Sequence, residues 1–280
     1  MPIHDQSYRH YAGEKEPLGK AWLVIVGEGV RTIVRKRAFI GLLLLAWAPF
    51  VVRAVQVYLA ANYPQMSSML GATADTYREF LQQQGVFVFF ITIWVGAGLI
   101  ANDRRANALQ IYLSKPLARS EYIAGKLGVL MVFLILVTWV PALLLLLLQM
   151  LFAGSFVFIR KNIFLFPAIT IFAFVQVLAA SFAMLALSSL SKSSRFVAIL
   201  YAGIVFFTQA LYAIVWGVTR STSLSWISFT ANLEQIGRVV FRSKPAYDTP
   251  WGISVVAILV LIGVSIVVLE RRVRGVEVVK

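Results

Sequence analysis

The sequence predicts an all-α integral membrane protein: six transmembrane helices, an N-terminal amphipathic helix in the interface, and a short cytoplasmic helix between the second and third spans. Two bulk observations and one asymmetry lead there. Hydrophobic residues make up 60% of the 280 and charged residues 14%, where soluble domains run nearer half and a quarter. The longest apolar run, Leu127–Ala153, has no charge over its length, and about 20 residues suffice to cross the hydrocarbon core. The asymmetry is in the 26 Lys and Arg: 18 fall in the segments on the side of the termini, seven in the opposite loops, and Arg53 within the first span. Basic residues collect on the cytoplasmic side, so both ends are expected in the cytoplasm of a multi-pass plasma-membrane protein. The same bias accounts for the net charge of +14, and no nucleic-acid partner is expected.

Residues 1–19 read as a polar tail that buries too little to fold alone. Its polar start argues against a cleaved signal peptide. In 20–37, Trp22, Val26, Val30 and Ile33 recur at helical spacing, with Glu28, Arg31 and Arg35 opposite, the pattern of a helix lying in the membrane surface. The membrane block is 38–269, with spans at about 38–60, 85–101, 127–153, 165–190, 196–218 and 251–269, and 270–280 is a basic tail. Pro49 is expected to kink the first span, and Pro141 lies near the middle of the third. Gly96 and Gly98 permit bending or close approach in the second, and Pro167 suits the first turn of the fourth. In the loops, Asp75 is a candidate cap for a short helix carrying Tyr77, Phe80 and Leu81, and Thr230 a candidate start for one carrying Leu233, Ile236 and Val240.

Chemistry is sparse. With no cysteine, thiolate metal sites and disulfides are excluded, and His4 and His10 have no third ligand nearby. Neither Gly19-Lys20 nor Gly125-Lys126 belongs to a phosphate-cradling loop, and no H-E-x-x-H or G-x-S-x-G pattern occurs. All 12 acidic residues lie outside the spans, which disfavours a proton- or sodium-coupled carrier. Four polar side chains do sit at depth. Arg53 and Gln56 share a face of the first span, Gln176 lies near the middle of the fourth, and Gln209 lies beyond the middle of the fifth. They either line the route of an anionic or polar substrate or, respectively, snorkel and hydrogen-bond between helices.

The most specific stretch runs from Gly96 to Lys126, GAGLIANDRRANALQIYLSKPLARSEYIAGK. Asp103 begins a short helix in which Leu109 and Leu113 share a face with Tyr112 alongside. Pro116 disfavours helix at Lys115, and Ser120 is a candidate cap for the next helix with Glu121 in its first turn. This block resembles the type-2 ABC export permeases, whose pattern here reads Asp103-Arg104, Asn107-Ala108-Leu109, Pro116-Leu117-Ala118-Arg119 and Gly125-Lys126. The family's usual Glu-x-Gly-Thr-Leu is replaced by Arg105-Ala106-Asn107-Ala108-Leu109. The N-terminal amphipathic helix, the six spans and the stretch Ser225–Phe241 are similar as well.

That resemblance implies a non-catalytic permease subunit of an ATP-driven transporter that moves an unidentified substrate outward across the plasma membrane. Two copies of a separate ABC ATPase would carry ATP and Mg, with no cofactor in this chain, and a second permease, identical or paralogous, would complete the membrane unit. The ATPase-coupling residues would be Asp103, Arg104, Arg105, Leu109, Tyr112, Leu113, Lys115 and Pro116. Against it stand a stand-alone secondary transporter or channel and a non-transporting membrane assembly protein.

Overall fold

The structure is a computed structural model, and it describes residues 21–63, 65, 71, 73–108, 117–153 and 163–273. Eleven α-helices and no strand are found among them: α1 Ala21–Val34, α2 Arg37–Ala46, α3 Ala48–Asn62, α4 Ala74–Ile91, α5 Ala101–Arg105, α6 Arg119–Val137, α7 Trp139–Ala153, α8 Leu165–Leu190, α9 Ser194–Thr219, α10 Phe229–Val240 and α11 Trp251–Arg272. Taken as continuous rods, they give six helices long and apolar enough to cross a membrane. Span 1 is α2 with α3, span 2 is α4 through α5, span 3 is α6 with α7, and spans 4, 5 and 6 are α8, α9 and α11. The starts of spans 1, 3 and 5 and the ends of spans 2, 4 and 6 define one face of the bundle, here the terminal face.

The expected kink at Pro49 is a break, and span 3 breaks near Pro141 as well. Span 1 is interrupted at Trp47, with Pro49 in the first turn of α3. Proline has no N–H and its ring crowds the carbonyl one turn back; Gln84 of span 2 donates to the Ala46 carbonyl at this break, 3.0 Å away. Span 3 is interrupted at Thr138, one turn before Pro141, and the Thr138 hydroxyl donates to Leu134 O at 2.7 Å.

Span 2 begins at Ala74 rather than near Gly85. Its polar first half stays helical because Tyr77, Phe80 and Leu81 bury against Leu145, Ile169 and Phe172 of spans 3 and 4. The cap is Thr73 and not Asp75: Thr73 and Thr76 close a reciprocal capping box, while Asp75 binds Arg78 at 2.9 Å. Further along, the ladder slips into a π turn at Thr92–Gly96 and opens over 97–100 before α5. In hydrocarbon every opened backbone group needs an internal partner. Ser188 of span 4 supplies it, its Oγ accepting from the Ile100 and Ala101 amides at 3.1 and 3.0 Å and donating to Ala97 O at 3.0 Å. Gly96 allows the approach, since a Cβ there would sit 2.4 Å from Met184 Cγ.

Span 4 is the centre of the bundle, 67% of its most apolar window being buried against 11% for span 1. Its Ala173, Ala180, Ala183 and Ser181 are the small residues that let helices pack where lipid removes any hydrophobic drive between them. On the terminal face, α1 lies against α6 through glycines on both sides. A Cβ at Gly29 would meet Val129 at 2.4 Å, and one at Gly125 or Gly128 would meet Ile25 or Val26 at 2.7 or 2.6 Å. On the opposite face, α10 starts at Ser228, whose hydroxyl accepts from the Ala231 amide at 3.1 Å. Thr230, the expected start, is inside the helix and its hydroxyl binds Gln209 instead.

Candidate functional site

Two polar constellations occupy opposite ends of the bundle. At the terminal face the end of span 2 is held on both flanks. Lys126 Nζ of span 3 lies 2.7 Å from Asp103 Oδ2, with the two side chains 16% and 18% exposed. Tyr122 donates to the same oxygen at 2.7 Å, and the Arg104 guanidinium donates to the Ser189 carbonyl at the end of span 4. Asp103 and Arg104 thus both point into the bundle and bind separate helices, while Arg105 is exposed. The helix ends in Asn107 at φ 53°, a left-handed conformation that Gly takes freely and Asn tolerates better than other residues. The substitution at the family's glycine position therefore keeps the turn. Leu109, Tyr112, Leu113, Lys115 and Pro116 lie outside the described residues. The start of span 3 is held by Glu121, whose carboxylate accepts from the Ala118 amide at 3.2 Å; Ser120 is the second residue of α6 and not its cap.

Towards the other face, spans 2, 4 and 5 and α10 line a cavity of about 500 Å³ that is partly open to the surface. Val88, Phe89, Phe172, Val205, Phe206 and Phe229 give it an apolar wall, and Gln82, Gln176, Gln209, Thr230, Glu234 and Tyr247 supply its polar atoms. Two of the four residues picked out at depth in the sequence therefore meet here. They behave differently. Gln209 is a helix-to-helix clamp, its Oε1 accepting from both Ser228 and Thr230 hydroxyls of α10. Gln176 is 5% exposed, and its Oε1 has no hydrogen-bond partner among the described residues.

Glu234 closes the polar end. Its Oε1 accepts from Arg238 at 2.9 Å and its Oε2 from Tyr247 at 2.7 Å. Burial is the largest single influence on its carboxyl and pushes it up, but the bonds from Tyr247 and Arg238, with the Arg238 charge, outweigh it and leave the group below its ordinary value. Burial, followed by that same bond, pushes the Tyr247 phenol up. The pair leaves this end electrically balanced, a carboxylate matched to one guanidinium.

Arg53 and Gln56 are not part of the cavity. Arg53 reaches Gln56 at 3.3 Å and Glu79 of span 2 at 3.4 Å, an ion pair between spans 1 and 2 that gives the guanidinium polar company at depth. Glu79, Glu234 and Tyr247 were not singled out in the sequence because they sit in polar stretches, where one more polar residue carries no signal, and Thr230 was read only as a helix start.

The helical bundle thus has a bound joint between spans 2 and 3 and a glycine-packed N-terminal helix, and residues 23–273 match the family model described as ABC-2 family transporter protein. The chain belongs to the ABC-2 transporter family. No curated protein sequence matches it. As an ABC-2 permease it is the membrane-embedded part of an ABC transporter, and the family works with an ABC ATPase. Among the described residues no cluster of His, Cys, Asp or Glu is built to hold a metal.

Proposed function

We propose that this ABC-2 permease is one subunit of an exporter whose ATPase is a separate chain, docked on the cytoplasmic side at the segment that follows Asp103. The supporting observation is the double anchorage of that segment's entry: Asp103 to Lys126 and Arg104 to the Ser189 carbonyl. A push delivered there reaches spans 2, 3 and 4 together, because each bond crosses to a different helix. Two permeases and two ATPases make the working unit, ATP and Mg reside on the ATPases, and α1 braces the docking surface. The terminal face is cytoplasmic on the basic-residue bias, in the plasma membrane.

Co-expression with an ABC ATPase from the same organism tests the proposal. Wild-type permease should retain the ATPase through purification, and a Leu109→Asp, Leu113→Asp variant that stays monodisperse in detergent should lose it. Undiminished retention in a folded variant would place docking elsewhere. For sidedness, Lys244→Cys in this cysteine-free chain should react with impermeant maleimide on intact cells, and Lys192→Cys only after lysis. The reverse pattern would overturn the orientation.

A further inference from the structure

The cavity between spans 2, 4 and 5 holds a feature that helix packing does not explain. Gln176 is buried in the middle of span 4, lines the cavity and leaves its amide carbonyl unsatisfied. A buried polar group without a partner is costly, and the other polar residues around it have partners: Gln209 is held by Ser228 and Thr230, and Glu234 by Arg238 and Tyr247. Gln176 lines a space of about 500 Å³, within the range of roughly 300–1,000 Å³ typical of small-molecule sites.

From this we propose that the cavity is a binding site, within a single permease subunit, for an uncharged and largely apolar molecule carrying a hydrogen-bonding group that the Gln176 amide meets. Charge selects the class. Among the described residues no Lys or Arg lines the cavity, so an anion would find no counter-charge and would face the Glu234 carboxylate. A cation would find that carboxylate already matched by Arg238 at 2.9 Å. Aromatic side chains on three walls, Phe89, Phe172 and Phe206, suit a flat or ring-bearing body. The site deepens the exporter reading by naming a cargo class, and it rests on that reading only for the step from binding to transport.

The test is direct binding to the purified permease in nanodiscs, with empty nanodiscs subtracted. The probe is N-phenyl-1-naphthylamine, which is neutral, has one N–H and brightens in apolar surroundings. Its sulfonated analogue, 8-anilino-1-naphthalenesulfonate, shares the rings and adds a negative charge. Saturable binding of one neutral probe per chain is expected, with the sulfonate at least tenfold weaker as a competitor. Gln176→Leu keeps the bulk and removes the amide, and should weaken binding at least fivefold. Gly85→Leu should abolish it, because a Cβ at Gly85 already lies 3.2 Å from Gln176 Nε2 and the longer side chain fills the space. Leu147→Phe, on the exposed surface of span 3, should bind as wild type. Equal binding by wild type and both cavity variants, or equal competition by the sulfonate, would overturn the proposal. The measurement needs no ATPase. ATP-driven transport in a permease that binds no probe would therefore sink the site and leave the exporter standing, and the reverse result would do the opposite.

Discussion

Lys126 holds Asp103 across the junction of spans 2 and 3 with 2.7 Å between ammonium and carboxylate, both side chains mostly shielded from solvent. Exposed pairs contribute about 1 kcal/mol or less, and breaking fully buried ones costs roughly 3–5 kcal/mol. Asp103→Asn should therefore cost about 2 kcal/mol, read as a lower midpoint of thermal unfolding in detergent. The exchanged pair Asp103→Lys with Lys126→Asp should recover part of it. No recovery would show that Asp103 acts through Tyr122 alone.

Ser188→Ala removes one hydroxyl and strands three backbone groups, the amides of Ile100 and Ala101 and the carbonyl of Ala97. Each buried orphan costs about 1–3 kcal/mol, so the loss should exceed that of a typical serine truncation several-fold. Ser189→Ala is the control, since its hydroxyl serves only the Ala186 carbonyl within its own helix. Comparable melting of the two variants would contradict the role given to Ser188.

Stability should fall in mild acid through Glu234. Its carboxyl is depressed in the folded state relative to the ordinary value of 4.5. The stabilisation it provides is thus complete above that value and lost as pH drops through the lower, folded one. Limited proteolysis of the 220–250 region between about pH 3 and 7 should show the opening, and Glu234→Gln should flatten the profile while lowering protection at neutral pH.

Asn107→Gly should leave stability and assembly unchanged, because either residue accepts φ 53°. Asn107→Val should cost about 1–2 kcal/mol and impair ATPase retention. Unimpaired retention in the valine variant would separate that turn from docking.

The six spans were legible because an uncharged run of membrane length is rarely built for anything but crossing a bilayer, and Pro49 announced the break it causes. The start of span 2 was not. Asp75, Arg78, Glu79 and Gln82 end the hydropathy signal at Gly85, although the helical period of Tyr77, Phe80 and Leu81 was visible and is what the bundle buries. Gln176 and Gln209 stood out as lone amides in apolar helices, yet nothing in sequence told the free one from the clamped one. That difference depends on Ser228 and Thr230, which reach Gln209 only after the chain has turned back through α10. The opening of the span 2 backbone was hinted at by Gly96 and Gly98, but its partner, Ser188, lies in a run of small residues where one serine looks like any other.

Span 2 touches both constellations, with a cavity wall at one end and Asp103 at the other. Between them its own ladder is discontinuous, and the missing bonds are lent by span 4. The helix therefore behaves as two rigid arms on a shared pivot rather than as a single rod. Turning the Asp103 arm must either drag span 4, and Gln176 with it, or break three hydrogen bonds at Ser188. The Ser188 contact thus sets the gear ratio between the two ends of the molecule.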